Sequence, residues 1–310
     1  MSQPMPDSRL TPWALEVEPG FRLRGWRTKS RGLPVLHFIH GNGFCGLAYW
    51  PLLSEFVDEF DLILTDVQGH GDSDAGGAFL GWNRTAEHCI QVIEAFRAEY
   101  AAGVPWVGMG HSFGGAMTLC LAGLQPNAFS AWVGLDAVLH PPTLNPVVRV
   151  ARLLGLMDRS PMVRQALART SQWPNRESAW NHLHGRGGYR GWDDQAFRCF
   201  VEYGLGEASD GTVRLKCPPW LEAQIYGSQP LNYWRLLKRV KAPGLLLHGD
   251  RTIPFVAPAS RKAAQSSKWV AAQQTAGGHC FMLERPEAIA LQVRDWLRRQ
   301  LEGAVRTEAA

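Results

Sequence analysis

Short apolar segments alternate with amphipathic segments along the chain, and this alternation predicts a sheet covered by helices. The apolar runs are bounded by Gly, Pro or polar residues, as is typical of buried strands. They are residues 21–27, 35–39, 62–64, 104–109, 131–135, 244–247 and 269–273. Helical spacing marks residues 49–57, 84–100, 286–301 and the segment that follows residue 112. Such alternation predicts an α/β fold, with a mostly parallel central sheet flanked by helices.

The alternation stops after residue 135 and resumes at residue 244. The intervening stretch is rich in Trp, Arg and Pro, and helical spacing is found near 146–156 and 162–169. We therefore predict a core made of 1–136 and 242–310, with 137–241 inserted as a mainly helical cap. Ligands bind beyond the carboxyl ends of parallel strands, so an insertion at this point overhangs the site. The alternative is a separate domain unrelated to the site.

Composition narrows the class of protein. The chain has 310 residues, of which 45% are hydrophobic and 19% charged, enough for one large α/β domain with an insertion. No apolar run approaches the ~18 residues needed to span a membrane. The first residues lack the basic and apolar stretches of a signal peptide. Six cysteines without C-x-x-C spacing predict reduced thiols, a cytoplasmic protein and no zinc site.

Charge is distributed unevenly. Residues 137–241 carry 15 Lys/Arg against 8 Asp/Glu, a net +7, whereas the whole chain has a net charge of +4. These basic residues are scattered, and no base-stacking module accompanies them, which argues against nucleic-acid binding. Two interpretations stay open, a solvated basic face and attraction of an anionic substrate. The oligomeric state is not indicated.

The most informative short motif is Gly110-His111-Ser112-Phe113-Gly114. An apolar run ending at Met109 precedes it, and an apolar helical segment follows. Strand, tight turn and helix around G-x-S-x-G form a nucleophile elbow, in which the flanking positions have no room for side chains. Ser112 is therefore the candidate nucleophile.

A serine hydroxyl is a weak nucleophile unless a base removes its proton. His279 lies in a loop after the last predicted strand and before the last helix, and it follows Ser112 in the chain order usual for this elbow. It is the candidate base. His111 adjoins Ser112, but we expect its side chain to point away from the cleft, on the other side of the turn.

Four motifs together resemble the α/β-hydrolase superfamily of lid-bearing serine hydrolases. They are residues 40–44, 66–73 and 110–114, and Gly278-His279 with the Glu284-Arg285-Pro286 segment behind it. The resemblance implies that the backbone N–H groups of Asn42 and Phe113 form an oxyanion hole. It implies a structural role for the 66–73 loop. No metal or cofactor is implied, and the sequence contains no phosphate loop or dinucleotide motif.

The acid of the expected triad departs from the family pattern. The family commonly places it three residues beyond a Gly that here corresponds to Gly249, and that position holds Thr252, which cannot carry the charge. Two carboxylates remain. Asp250 lies in the same turn, and Asp136 ends the strand at 131–135, where some family members place the acid. We favour Asp136 and keep Asp250 as the alternative.

These residues predict a serine hydrolase that cleaves a carboxylic ester or related small-molecule acyl substrate through an acyl-enzyme. Thioesterase, lactonase, perhydrolase, C–C bond hydrolase and acyltransferase chemistry use the same residues and stay open. A ligand receptor with little turnover is the alternative from another class. The cap tryptophans either line a pocket or pack in the core.

Overall fold

The computed structural model describes residues 7–141, 160–229 and 232–308, with the backbone alone for 303–308. Eleven strands are found within these ranges. They are β1 (Leu10–Glu18), β2 (Phe21–Thr28), β3 (Val35–Ile39), β4 (Asp61–Asp66), β5 (Trp106–His111), β6 (Ala131–Leu135), β7 (Gln172–Trp173), β8 (Leu205–Glu207), β9 (Val213–Leu215), β10 (Gly244–Gly249) and β11 (Val270–Thr275).

The helices of the same ranges lie between and after these strands. They are α1 (Trp50–Leu53), α2 (Trp82–Arg97), α3 (Phe113–Leu124), α4 (Pro161–Ala168), α5 (Arg176–Leu183), α6 (Asp194–Tyr203), α7 (Pro219–Tyr226), α8 (Tyr233–Leu237), α9 (Val256–Ser266), α10 (Phe281–Glu284) and α11 (Pro286–Glu308). No helix of the described chain is long and apolar enough to cross a membrane.

Eight strands form the central sheet, in the order β1-β2-β4-β3-β5-β6-β10-β11. The β1–β2 and β2–β4 pairs are antiparallel and the other pairs are parallel. The predicted α/β-hydrolase fold class, with its mostly parallel sheet, is confirmed. The sequence pattern did not reveal β1, which contains Pro12. A proline is tolerated there because β1 is an edge strand.

Helices cover both faces of this sheet. On one face, α2, α3, α8 and α9 pack over buried strand residues such as Ile39 and Ile63. On the other, α1, α10 and α11 pack over residues such as Phe38 and Leu64. The central strands β3, β4, β5, β6 and β10 are buried along their whole length, which explains why they read as continuous apolar runs.

The segment between β6 and β10 contains the helices α4 to α8 and a small antiparallel sheet in the order β7-β9-β8. The helix predicted near 162–169 corresponds to α4, and the helix predicted near 146–156 lies outside the described residues. Trp173 and Trp192 are buried and belong to the same apolar cluster as the α1 face of the main sheet. The division into a core and a cap at 137–241 stays a prediction.

Candidate active site

Ser112 occupies a strained turn between β5 and α3. Its φ is 53°, in the left-handed region that side chains disfavour. A Cβ on Gly110 would lie 2.3 Å from the carbonyl oxygen of Gly114, and one on Gly114 would lie 2.1 Å from that of Ile39. Both glycines are required by close backbone contact. The turn holds Ser112 at the carboxyl end of β5, where a backbone strained in this way is typical of functional sites.

Three side chains from separate loops meet at this point. Nε2 of His279 lies 2.9 Å from Oγ of Ser112, and Nδ1 of His279 lies 2.5 Å from Oδ2 of Asp136. A carboxylate only accepts hydrogen bonds, so Nδ1 carries the ring proton. Nε2 is then left as an acceptor facing the serine hydroxyl. The arrangement can withdraw a proton from Ser112.

Asp136 is fully buried and is hydrogen bonded on both carboxylate oxygens. Oδ1 accepts the backbone N–H of Gly249 at 2.9 Å, and Oδ2 accepts the hydroxyl of Thr252 as well as Nδ1 of His279. Asp136 itself has a φ of 45°, which directs its side chain from the end of β6 towards the β10 turn. These donors stabilise a buried negative charge that would otherwise be costly. Thr252 therefore supports the carboxylate, a role that the sequence did not suggest.

Asp250 makes a different contact. Its Oδ1 accepts the backbone N–H of Gly277 at 2.8 Å, and its side chain is 38% exposed. It holds the loop that leads to His279 and makes no hydrogen bond to the imidazole among the described residues. Of the two candidate acids, the structure brings Asp136 to the ring.

The turn at residues 40–44 lies beside Ser112. Hydrogen bonds to the carbonyl oxygen of Gly41 fix the orientation of the peptide between Gly41 and Asn42. The carbonyl oxygen of Gly41 accepts Nδ1–H of His40 at 2.8 Å and the N–H of Phe44 at 3.2 Å. Because the C=O and N–H of a trans peptide point in opposite directions, these bonds direct the N–H of Asn42 the other way. No described residue accepts a hydrogen bond from the N–H of Asn42 or of Phe113.

Buried histidines support this turn. Nε2 of His40 accepts the N–H of Val67 at 3.2 Å, and Nε2 of His70 accepts the N–H of Gly43 at 2.9 Å. Burial lowers the pKa of His70 to about 4 and that of His40 well below its usual value, so both rings stay neutral acceptors. His70 belongs to the 66–73 loop, and its contact shows how that loop supports the turn.

A cavity of about 480 Å³ adjoins the same turn. Asn42 and Phe44 form one side, and the other walls come from α4, α5, α7 and the turn before α6; among the lining residues are Gln165, Arg169, His182, Arg186, Tyr189 and Glu222. None of the described tryptophans lines it, and Trp173 and Trp192 are core residues instead.

An ion pair crosses this cavity wall. Nη1 of Arg169 lies 2.6 Å from Oε2 of Glu222, and Nη2 of Arg169 donates to the hydroxyl of Tyr189 at 2.6 Å. Burial raises the pKa of Glu222, and Arg169 opposes that rise. The backbone carbonyl of Glu222 accepts the side-chain amide of Asn42 at 3.1 Å, which ties α7 to the 40–44 turn. The residues of this contact are 180 positions apart in sequence, so no local pattern indicated it.

Two proteins of known family show sequence similarity to this chain. The chain is 23% identical over 232 residues to the abhydrolase domain-containing protein AKT2 of Alternaria alternata, covering 63% of this chain and 84% of that protein. It is 29% identical over 153 residues to the type I acyl-CoA thioesterase mpaH of Penicillium brevicompactum, covering 45% of this chain and only 33% of that protein.

Among solved structures, the fold matches that of E-2-(acetamidomethylene)succinate hydrolase with a TM-score of 0.77 and 20% identity, over 93% of this chain and 99% of the other. The model of the alpha/beta hydrolase family matches residues 38–292, a range that begins in β3 and ends in α11 and so includes the Ser112 turn and the His279 loop. This match covers most of the chain, and the chain belongs to the alpha/beta hydrolase family.

Proposed function

We propose that this protein is a serine hydrolase that cleaves carboxylic esters or thioesters of small acyl substrates. The observation that carries the proposal is the continuous contact from Ser112 Oγ through His279 to Asp136, at 2.9 Å and 2.5 Å. It has the donor and acceptor order that a Ser-His-Asp triad requires. His279 takes the proton of Ser112 as its oxygen attacks the acyl carbon, and Asp136 stabilises the charged imidazole.

The tetrahedral intermediate carries a negative oxygen, for which we propose the N–H groups of Asn42 and Phe113 as donors. The N–H of Phe113 is at the start of α3, where helix N–H groups lack internal partners and the helix dipole favours negative charge. The His40 and Phe44 contacts hold the peptide that carries the N–H of Asn42 before any substrate arrives. Fixed donors of this kind each contribute about 10²–10³ in rate. His279 then protonates the leaving group, and water hydrolyses the acyl-enzyme.

Esters and thioesters are the proposed substrates, since the same residues cleave both. The proposal of thioester substrates is supported by the similarity to mpaH, although the chain spans only about a third of the length of that protein. We propose that residues 137–241 form a cap over the site. The cavity beside Asn42 would then receive part of the substrate. The guanidinium of Arg186 on its wall favours a substrate that carries a negative charge. All six cysteines are buried and unpaired, which fits the proposed cytoplasmic location.

Steady-state turnover tests the proposal. The purified protein is assayed with p-nitrophenyl esters of increasing acyl length and with matched acyl-CoA thioesters. Ser112→Ala should reduce kcat by at least about 10⁴, because triad members act as a unit. Ser260→Ala, which truncates a buried serine of α9 away from the site, is the matched control and should keep full activity. Turnover that survives Ser112→Ala in a folded protein contradicts the proposal.

The cavity gives a second arm of the same experiment. A substrate with a free terminal carboxylate is compared with its neutral amide analogue, in the unaltered protein and in Arg186→Gln. We expect Arg186→Gln to lower kcat/KM about tenfold for the charged substrate alone, as the removal of one charge-assisted hydrogen bond would. Equal losses for both substrates would contradict the preference for an anion and leave the hydrolase proposal standing.

A further inference from the structure

His111, the neighbour of Ser112, is fully buried and lies at the back of the candidate site. Its Nε2 is 3.0 Å from the backbone carbonyl oxygen of His279, and its Nδ1 is 2.6 Å from the hydroxyl of Tyr49. The hydroxyl of Tyr49 in turn lies 3.1 Å from the backbone N of Gly41. Four residues from three separate parts of the sequence are therefore joined in one chain of hydrogen bonds.

The direction of every bond in this chain follows from its two ends. The carbonyl of His279 only accepts, so Nε2 of His111 carries a proton. Burial lowers the pKa of His111 well below its usual value, so the ring is neutral and Nδ1 is an acceptor. Tyr49 must then donate its hydroxyl proton to Nδ1, and burial raises the pKa of Tyr49, which keeps that proton in place. The oxygen of Tyr49 is left to accept the N–H of Gly41.

Both ends of this hydrogen-bond chain reach groups that the proposed reaction uses. Gly41 immediately precedes Asn42, the proposed oxyanion donor, and the other end holds the backbone of His279, the proposed base. The contact at Gly41 is close: a Cβ there would lie 2.6 Å from Nδ1 of His111 and 3.0 Å from the Tyr49 hydroxyl. The 40–44 turn therefore rests directly on the Tyr49–His111 pair, and a shift of either side chain moves it.

We propose that Tyr49 and His111 are positioning residues, which hold the oxyanion turn and the His279 loop at a fixed separation across Ser112. This inference rests on the proposed function. A displacement of about 1 Å between reacting groups is enough to slow a reaction a hundredfold, so a rigid link between the two loops has kinetic value. Neither residue hydrogen bonds to the Ser112 hydroxyl or to the imidazole nitrogens of His279, although the ring of His111 packs against that of His279 with centroids 4.9 Å apart. Neither is expected to change how tightly the ground-state substrate binds.

The test compares Tyr49→Phe with a matched control, Tyr100→Phe. Tyr100 is also buried, and its hydroxyl donates to the backbone carbonyl of Thr28 at 2.8 Å. This contact lies beside the first residues of β4 and β5, at the opposite end of the strands from the site. Each variant deletes one buried hydroxyl that is bonded to the backbone, so each loses stability. The measurements are kcat and KM for a p-nitrophenyl ester, the Ki of a trifluoromethyl ketone that forms a tetrahedral adduct with serine hydrolases, and the melting temperature.

We expect Tyr49→Phe to lower kcat about tenfold, to leave KM within twofold and to weaken the trifluoromethyl ketone by the same factor as kcat. Tyr100→Phe should leave all three constants within twofold. His111→Phe keeps a ring at this position but removes both nitrogens, and with them the acceptor for Tyr49, so it tests the same hydrogen-bond chain if Tyr49→Phe does not fold. The double variant should lose no more kcat than the worse single variant, because each single substitution already breaks the same chain of hydrogen bonds.

A kcat for Tyr49→Phe and His111→Phe equal to that of Tyr100→Phe would overturn the positioning role, and so would a change confined to KM. These outcomes leave ester turnover by the unaltered protein intact. Absence of turnover in the unaltered protein would contradict the proposed function itself, and the two failures are thereby distinguished.

Discussion

Replacing Asp136 by Asn should nearly abolish activity, because it reverses the hydrogen-bond order of the site. The amide oxygen of Asn can still accept the N–H of Gly249, which leaves its NH₂ group where Oδ2 now lies. That NH₂ group would face two donors, Nδ1–H of His279 and the hydroxyl of Thr252. The conflict is relieved if the imidazole moves its proton to Nε2. His279 then presents a donor to Ser112 and cannot act as its base.

The magnitude follows from the loss of the base. In serine proteases the same change of tautomer lowers kcat by about 10⁴, and we expect a decrease of about 10³–10⁴ here. At 1.36 kcal/mol for each factor of ten, this corresponds to about 4–5 kcal/mol of transition-state stabilisation. Asp250→Asn is the matched control, because an amide oxygen can still accept the N–H of Gly277. Its kcat should stay within about threefold of that of the unaltered protein.

The assay is steady-state hydrolysis of a p-nitrophenyl ester by both variants, each checked for folding by thermal melting. A large decrease in kcat for Asp136→Asn, with a small decrease for Asp250→Asn, supports the proposed triad. The reverse order would assign the acid to Asp250, and equal mild effects would mean that neither carboxylate orients His279.

Other predictions concern the groups around the triad. Thr252→Val removes one of the donors to Asp136 and should lower kcat about three- to tenfold with KM unchanged; an unaltered kcat would argue against support by Thr252. Gly114→Ala forces a Cβ to within 2.1 Å of the Ile39 carbonyl oxygen and should destabilise the fold by about 1–3 kcal/mol; an unchanged melting temperature would contradict this. Burial lowers the pKa of six of the described histidines, to about 3 for His37 and about 4 for His70; the others are His40, His88, His111 and His140. Unfolding returns each histidine pKa to about 6.5. Below pH 6.5 the unfolded chain therefore binds more protons than the folded chain. The free energy of unfolding then falls as the pH is lowered, by up to about 1.4 kcal/mol per pH unit for each histidine. Urea unfolding at pH 7 and pH 5.5 measures this loss, and equal free energies of unfolding would refute it.

The parallel sheet and the Ser112 turn could be predicted because both depend on local sequence. Strands buried on both faces are continuous apolar runs, and a tight turn between strand and helix requires the glycines at 110 and 114. β1 was missed because its burial alternates irregularly and includes Pro12, so neither a continuous run nor strict alternation marks it.

The acid could not be decided from the sequence, because Asp136 and Asp250 both follow the carboxyl ends of adjacent strands. What separates them is side-chain direction, which depends on the left-handed backbone at Asp136 and on the contact between Asp250 and Gly277. The sequence showed only that Thr252 occupies the position where the family usually has the acid. It did not indicate that the Thr252 hydroxyl donates to Asp136, because the two residues are 116 positions apart and their contact leaves no local pattern. The Tyr49–His111 chain was missed for the same reason.

The central claim is that Ser112 is activated by His279, and reaction with a fluorophosphonate tests it most directly. The purified protein is treated with the probe and analysed by intact mass and peptide mapping, with Ser112→Ala and His279→Ala as controls. We expect one adduct, on Ser112, that is absent from Ser112→Ala and at least about 10³-fold slower to form in His279→Ala. No adduct on the folded protein, or labelling that persists at full rate without His279, would contradict the account.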